Sequence, residues 1–216
     1  MTNITKWFIA LPFAFFVAFV IPALITRDWV WFTNDWGAVV YVILTAGMWL
    51  MATGFVDVEK PREAPDVASR LIPLGLILSI PVSIVDRLWG LAKSLPDGLV
   101  ILAVVMSLIA IVLGISARIA LGQAYSPRGA AQEQTNLIRQ GPYKYIRHPL
   151  YFAAILWCIG WPLFIKSLFG SLAALALIIP ALRIRINDEE QELVRVFGED
   201  YRKYQEETWR LLPFIY

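Results

Sequence analysis

Apolar residues fall into long blocks along this chain, and polar segments separate the blocks. A helix needs about 20 apolar residues to cross a bilayer, and several blocks approach that length. The blocks cover residues 7–25, 36–55, 71–85, 98–121, 149–165 and 168–182. The pattern predicts an all-α integral membrane protein with five to six transmembrane helices, and we expect one structural domain overall.

The first apolar block and the last two blocks each differ from an ordinary upright membrane span. The block 7–25 also resembles the apolar region of a secretory signal peptide, but no convincing small-residue cleavage site follows it, so we expect a retained helix. The blocks 149–165 and 168–182 are short for upright spans, since about 17 residues rise only about 25 Å. Lys166-Ser167 alone separates them. They are therefore expected to form a short helical hairpin, which need not cross the bilayer fully.

The polar tail, residues 183–216, is expected to begin as a continuation of the last apolar helix. It has no Gly or Pro before Gly198, and Pro180 is the one place nearby where the helix can bend. Tyr201 and Tyr204 follow one turn apart. Because they would share a helix face, we expect them to attach the tail helix to the rest of the protein rather than to contact a ligand.

Basic residues in the connecting segments predict the topology. With six spans, most Lys and Arg residues fall on the side that carries both termini, the loop before residue 149 and the tail. The positive-inside rule places that side in the cytoplasm. Asp86 and Arg87 end the third block, on the other side of the membrane, and we expect them to form an interfacial ion pair.

The composition limits the partners, disulfide bonds and metal sites that this chain can have. The chain of 216 residues is 58% hydrophobic with a net charge of +2, which fits a lipid bilayer as a partner and argues against nucleic acid. It has one cysteine, Cys158, which excludes an internal disulfide. One His and one Cys cannot form the usual tetrahedral zinc site, so no metal is expected.

The single histidine, His148, lies where polar sequence meets an apolar block. Pro149 follows it and favours a helix start, whose free amides would attract an anion. In the tail, Arg185 and Glu189 are i and i+4 neighbours on one helix face. The two groups lie on one side of the membrane and predict a polar site. A helix-capping histidine and an ordinary surface salt bridge are the structural alternatives.

A series of short motifs runs from the end of the fourth apolar block to the end of the tail. The series, in chain order, is Leu121-Gly122, Ser126-Pro127, Leu137-Ile138, Gly141-Pro142-Tyr143, Arg147-His148-Pro149-Leu150-Tyr151, Arg185-Ile186-x-x-Glu189-Glu190, Phe197-Gly198-x-x-Tyr201-x-x-Tyr204, Thr208-x-Arg210-Leu211 and Pro213. In this order and spacing, the chain resembles the isoprenylcysteine carboxyl methyltransferase family of integral membrane methyltransferases. The resemblance covers about residues 119–213. It divides the chain into N-terminal transmembrane helices, 1–118, and a methyltransferase region, 119–216.

The resemblance implies S-adenosylmethionine as cofactor, bound between the loop and the tail helix. The residues that would bind it are Leu137, Ile138, Tyr143, Arg147, His148, Pro149, Leu150, Tyr151 and Glu189. Those that would act in catalysis are Arg185, as a substrate contact, with Glu189 and Glu190. Tyr151 is followed by Phe152-Ala153-Ala154, where the family has a small polar or acidic residue. This departure leaves the methyl acceptor open.

The expected activity is methyl transfer to a lipophilic acceptor that enters from the bilayer. Carboxyl O-methylation of an isoprenylcysteine is the leading interpretation. A phospholipid amine or another small lipophilic N- or S-acceptor is the alternative, and an amine would need Glu189 or Glu190 as a base. An NADPH-dependent membrane sterol reductase is a third interpretation, since such enzymes share a similar Arg-His-Pro-x-Tyr run. A membrane scaffold without enzymatic activity is the fourth.

Overall fold

The part of the chain that the structure describes is helical. The structure is a computed structural model, and it describes residues 75, 79, 81–83, 85, 86, 95–121 and 136–211. Its helices are α1 (Asp97–Leu121), a 3₁₀ helix (Gly141–Lys144), α2 (Pro149–Phe164), α3 (Leu168–Phe197) and α4 (Glu199–Glu207). Within these ranges one isolated parallel bridge, Ile146 to Trp209, is the only β pairing. The all-α prediction is confirmed for the described residues.

Two of the described helices are long and apolar enough to cross a membrane, namely α1 and α3. Helix α2 has only 16 residues, as the short block predicted. Most of the large side chains of α1 that lie away from α2 are exposed, which suits contact with lipid; examples are Ile101, Leu108, Val112 and Ile119. The blocks 7–25, 36–55 and most of 71–85 lie outside the described residues, so the count of five to six spans stays a prediction.

Small residues let α1 and α2 approach closely. Ala103, Ser107 and Ala110 of α1 are fully buried. Opposite them, a Cβ added to Gly160 would lie 2.4 Å from Ser107 Oγ and 2.9 Å from the Ala103 carbonyl oxygen. Membrane helices associate through such small-residue contacts, because lipid offers no hydrophobic driving force. Trp157 and Trp161 of α2 pack in the same cluster.

The predicted hairpin is formed by α2 and α3, and buried polar side chains fix its turn. Lys166 adopts a positive φ of 59°, which reverses the chain. Ser167 then caps α3 by accepting a hydrogen bond of 2.9 Å from the Gly170 amide. Asp86 is buried beside this turn, and its Oδ2 accepts from Ser167 Oγ at 2.7 Å and from the Phe169 amide at 3.1 Å. Arg87, its expected partner, lies outside the described residues.

Helix α3 continues without interruption from the apolar block into the polar tail. It passes Pro180 and ends where Gly198 adopts a φ of 57°, as the absence of earlier breakers predicted. Tyr201 and Tyr204 of α4 are 1% and 3% exposed and pack together, so they do attach α4 to the body. The division between 1–118 and 119–216 falls within α1, and it stays a prediction.

Candidate active site

The segment before α2 is held by the segment after α4. Arg147 donates its amide to the Trp209 carbonyl at 2.8 Å, and His148 donates its amide to the Arg210 carbonyl at 3.2 Å. In return, the Trp209 amide donates to the Tyr145 carbonyl at 3.0 Å. Two stretches more than 60 residues apart in sequence therefore share a short parallel pairing. This pairing sets the direction in which the Arg147 and His148 side chains leave the backbone.

Glu190 lies at the centre of a buried charged cluster. Its Oε1 accepts from Arg147 Nε at 2.9 Å and lies 3.1 Å from His148 Nε2. Its Oε2 lies 3.0 Å from Arg210 Nε and accepts from Gln205 Nε2 at 3.3 Å. Arg147 also donates through Nη1 to the Gln205 carbonyl at 2.9 Å and to the Thr208 carbonyl. The cluster joins the loop, α3 and the segment after α4.

The charge state of Glu190 follows from these partners. Burial by itself raises the pKa of Glu190, but the hydrogen bonds and charges of His148 and Arg147 outweigh burial and lower the pKa to about 2. An ionised carboxylate only accepts hydrogen bonds, so His148 Nε2 must carry a proton to bond with it. Glu190 is therefore ionised at neutral pH and has both oxygens engaged.

A second polar set lies on the neighbouring face of α3. The Tyr151 hydroxyl donates to Glu189 Oε2 at 2.7 Å and accepts from Arg185 Nε at 2.9 Å. A phenol has one proton, so its donation to Glu189 leaves the oxygen to accept from Arg185. Arg185 and Glu189 are both partly exposed, unlike Glu190. Their side chains can therefore contact a ligand while Tyr151 holds them in place.

The first turn of α2 connects the two sets. Pro149 is the first residue of the helix, and the His148 carbonyl accepts from the Tyr151 amide at 3.1 Å. The rings of His148 and Tyr151 stack at 5.5 Å between centroids. His148 thus faces Glu190, while Tyr151 faces Glu189. The predicted site residues Arg147, His148, Tyr151, Arg185, Glu189 and Glu190 are brought together, with Pro149 and Leu150 in the turn that carries them.

The remaining predicted site residues lie on the loop beside α4. Leu137 packs against a cluster formed by Leu193, Tyr201 and Tyr204. The Tyr143 carbonyl accepts from the Tyr204 hydroxyl at 2.6 Å. Gly141, with a φ of 60°, begins the 3₁₀ turn that carries Tyr143. Ile138 is partly exposed on the same stretch.

Three residues of the site were not assigned a role from the sequence. Gln205, Thr208 and Arg210 all contact the cluster around Glu190. Thr208 and Arg210 belong to the motif series, so their spacing after the tyrosine pair was the available signal. Gln205 carried no such signal. Among the described residues, no group of three or more His, Cys, Asp or Glu side chains could hold a metal ion.

A model of the isoprenylcysteine carboxyl methyltransferase family matches residues 100–195, which is less than half of the chain. The matched range includes α2 and nearly all of α3. It also contains every site residue that the sequence predicted. The residues after α4 that complete the cluster lie beyond it.

Individual relatives carry a matching description. The protein-S-isoprenylcysteine O-methyltransferase of Schizosaccharomyces pombe is 28% identical over 102 residues, or 46% of this chain and 43% of the relative. The human protein of the same name is 30% identical over 79 residues, or 37% and 28%. A probable enzyme of this kind from Oryza sativa subsp. indica is 30% identical over 84 residues, or 39% and 44%.

The matched region thus spans less than half the length of each of these curated relatives. The family match at residues 100–195 contains Tyr151, Arg185 and Glu189, and it contains Glu190 but not the partners of Glu190 that follow α4. The resemblance that the motif order predicted is confirmed: over residues 100–195, this chain is similar to the isoprenylcysteine carboxyl methyltransferase family.

Proposed function

We propose that this chain is a membrane methyltransferase that uses S-adenosylmethionine and methylates a lipophilic carboxylate, most favourably that of an isoprenylcysteine. One observation carries the proposal. Within the region that matches the family, Tyr151 links Arg185 and Glu189 at the point where the apolar part of α3 becomes polar. A cation and an anion, both partly exposed at a membrane edge, suit an amphipathic acceptor and a charged cofactor.

The residues present fit S-adenosylmethionine. This cofactor carries a positive sulfonium, a zwitterionic amino-acid group and a nucleoside, and when bound it supplies an activated methyl group. Glu189 offers a partly exposed carboxylate for a positive group. Tyr143 and Tyr151 offer aromatic rings, and the loop at Leu137 and Ile138 offers main-chain polar groups for a nucleoside. His148 and the first turn of α2 complete the proposed cofactor-binding residues.

Arg185 is the proposed partner of the acceptor carboxylate. A carboxylate is ionised at neutral pH, so it needs no general base to become a nucleophile. A guanidinium can hold it through charge-assisted hydrogen bonds. Tyr151 fixes the direction of Arg185 through its 2.9 Å hydrogen bond, which reduces the number of orientations the acceptor can take. Proximity and exclusion of water then supply most of the rate acceleration.

Glu190 is proposed to position the site rather than to transfer protons. It is ionised and is held by Arg147, His148 and Arg210. A carboxylate with a pKa of about 2 is a weak base at neutral pH. Glu189 is the better candidate if the acceptor is an amine that must lose a proton.

The family resemblance and the two apolar helices indicate a membrane protein. We further propose a multi-pass topology in which both termini and the active site face the cytoplasm. The positive-inside pattern supports this orientation. It also places the site in the compartment where S-adenosylmethionine is made, with a lipophilic acceptor arriving along the bilayer.

Binding of S-adenosylhomocysteine to the purified full chain in nanodiscs tests the proposed function. Calorimetry should give a saturable isotherm, and NADPH should give none. Glu189→Gln should weaken binding, whereas Glu192→Gln on the same helix should not. Saturable binding of NADPH alone would favour the reductase interpretation, and absence of binding to either molecule would favour a scaffold.

A further inference from the structure

The hydroxyl group of Tyr201 is buried and has no hydrogen-bond partner in the described part of the chain. Tyr201 is only 1% exposed. A buried polar atom without a partner costs about 1–3 kcal/mol, and native proteins rarely retain one without a reason. Tyr204, one turn later on the same helix, differs because its hydroxyl donates to the Tyr143 carbonyl at 2.6 Å.

The surroundings of Tyr201 place its hydroxyl beside the candidate site. Its ring packs with Leu193 and Tyr204, and Leu137 packs against that cluster. Burial raises the pKa of Tyr201, the carboxylates of Glu190 and Glu189 raise it further, and Arg147 opposes them. The hydroxyl is therefore protonated at neutral pH and lies within electrostatic reach of both acids.

These two observations give the hydroxyl a defined location. Leu137 of the loop and Leu193 of α3 belong to the packing around the ring, and the carboxylates of Glu189 and Glu190 are close enough to act on the hydroxyl. The ring attaches α4 to the body, as the sequence predicted, and this packing fixes the hydroxyl without engaging it. A rigid donor in such a position is suited to a ligand that reaches between the loop and α3.

We propose that Tyr201 is a further binding residue, whose hydroxyl forms a hydrogen bond with a polar group of the methyl donor. This inference rests on the proposed function, because it assigns the ligand to the same site. It adds α4 to the elements that contact the cofactor. Attachment of α4 to the body is then required for ligand binding as well as for stability.

Two matched phenylalanine variants test the inference in the full chain in nanodiscs. Without ligand, Tyr201→Phe should unfold at the same temperature as wild type or higher, because the change removes a buried hydroxyl that has no partner. Tyr204→Phe should unfold at a lower temperature, because the Tyr143 carbonyl loses its donor. Tyr201→Phe should bind S-adenosylhomocysteine about tenfold more weakly, which is the loss of one hydrogen bond.

The outcomes separate this inference from the proposed function. If wild type does not bind S-adenosylhomocysteine, the proposed function fails and the inference fails with it. If wild type binds and Tyr201→Phe binds equally well, only the inference is overturned. A lower unfolding temperature of Tyr201→Phe without ligand would also overturn it, because the hydroxyl would then have a structural partner.

Discussion

Arg147 and Glu190 lie 43 positions apart in the sequence, and their side chains meet at 2.9 Å. Their side chains are 10% and 9% exposed, so water screens the pair poorly. The pair attaches the loop before α2 to the polar end of α3. It thereby fixes the first turn of α2, where His148 and Tyr151 begin the candidate site.

Replacing Glu190 should destabilise the fold more than replacing a similar residue nearby. Glu190→Gln removes the carboxylate charge that pairs with the partly buried guanidinium group of Arg147, at a cost of about 3 kcal/mol. Glu192→Gln is the matched control, because its pair with Arg195 is exposed and should contribute less than about 0.5 kcal/mol. Denaturation in mild detergent measures both. Equal losses would contradict the central role of Glu190.

The contribution of Glu190 should also depend on pH. Because the pKa is lowered from 4.5 to about 2 in the folded state, the ionised form stabilises the fold. This stabilisation is fully present above about 4.5 and is lost as the pH falls towards about 2. The difference in unfolding temperature between wild type and Glu190→Gln should therefore shrink over that interval. A constant difference across it would show that the carboxylate charge is unimportant.

Tyr151→Phe should reduce methyl transfer with little change in stability. The change removes the hydroxyl that links Arg185 to Glu189, so kcat/KM should fall about tenfold. In a double-mutant cycle, Tyr151→Phe and Glu189→Ala should couple by about 1 kcal/mol, because each change removes one partner of the same hydrogen bond. Initial rates with a labelled methyl donor measure the coupling. Additive effects would mean that the two residues act independently.

The contact between α1 and α2 should be sensitive to a single methyl group. Gly160→Ala places a Cβ within 2.9 Å of the Ala103 carbonyl, and the helices must separate to admit it. We expect a loss of about 1–3 kcal/mol. Gly98→Ala is the control, because nothing lies within 4 Å of its added Cβ. Thermal unfolding that ranks Gly98→Ala as the more harmful change would refute this packing.

The hairpin and the tail helix could be predicted because their signals are local. The length of the apolar blocks, Lys166-Ser167 between them and the absence of breakers before Gly198 together define α2 and α3. The ends of α3 and the packing role of Tyr201 and Tyr204 followed from the same reasoning. The resemblance to a known family rested on motif order, which the chain carries in its second half.

The partners of neighbouring acids could not be predicted. Glu189 and Glu190 are adjacent, and a helix turns about 100° between them, so one faces Tyr151 while the other faces Arg147. Which acid meets which partner depends on the rotation of α3 against α2. Tertiary packing sets that rotation. The pairing of Ile146 with Trp209 also joins residues that are far apart in the sequence, so no local pattern predicts it.

Transfer of a labelled methyl group from S-adenosylmethionine to a farnesylcysteine analogue tests directly whether this chain methylates an isoprenylcysteine carboxylate. The full chain in nanodiscs is supplied with this analogue or with phosphatidylethanolamine, and Arg185→Ala serves as the variant. We expect a base-labile methyl ester on the analogue, no product from the phospholipid, and a rate reduced at least tenfold in Arg185→Ala. Label in the phospholipid alone, or in neither acceptor, would contradict carboxyl methylation by this chain.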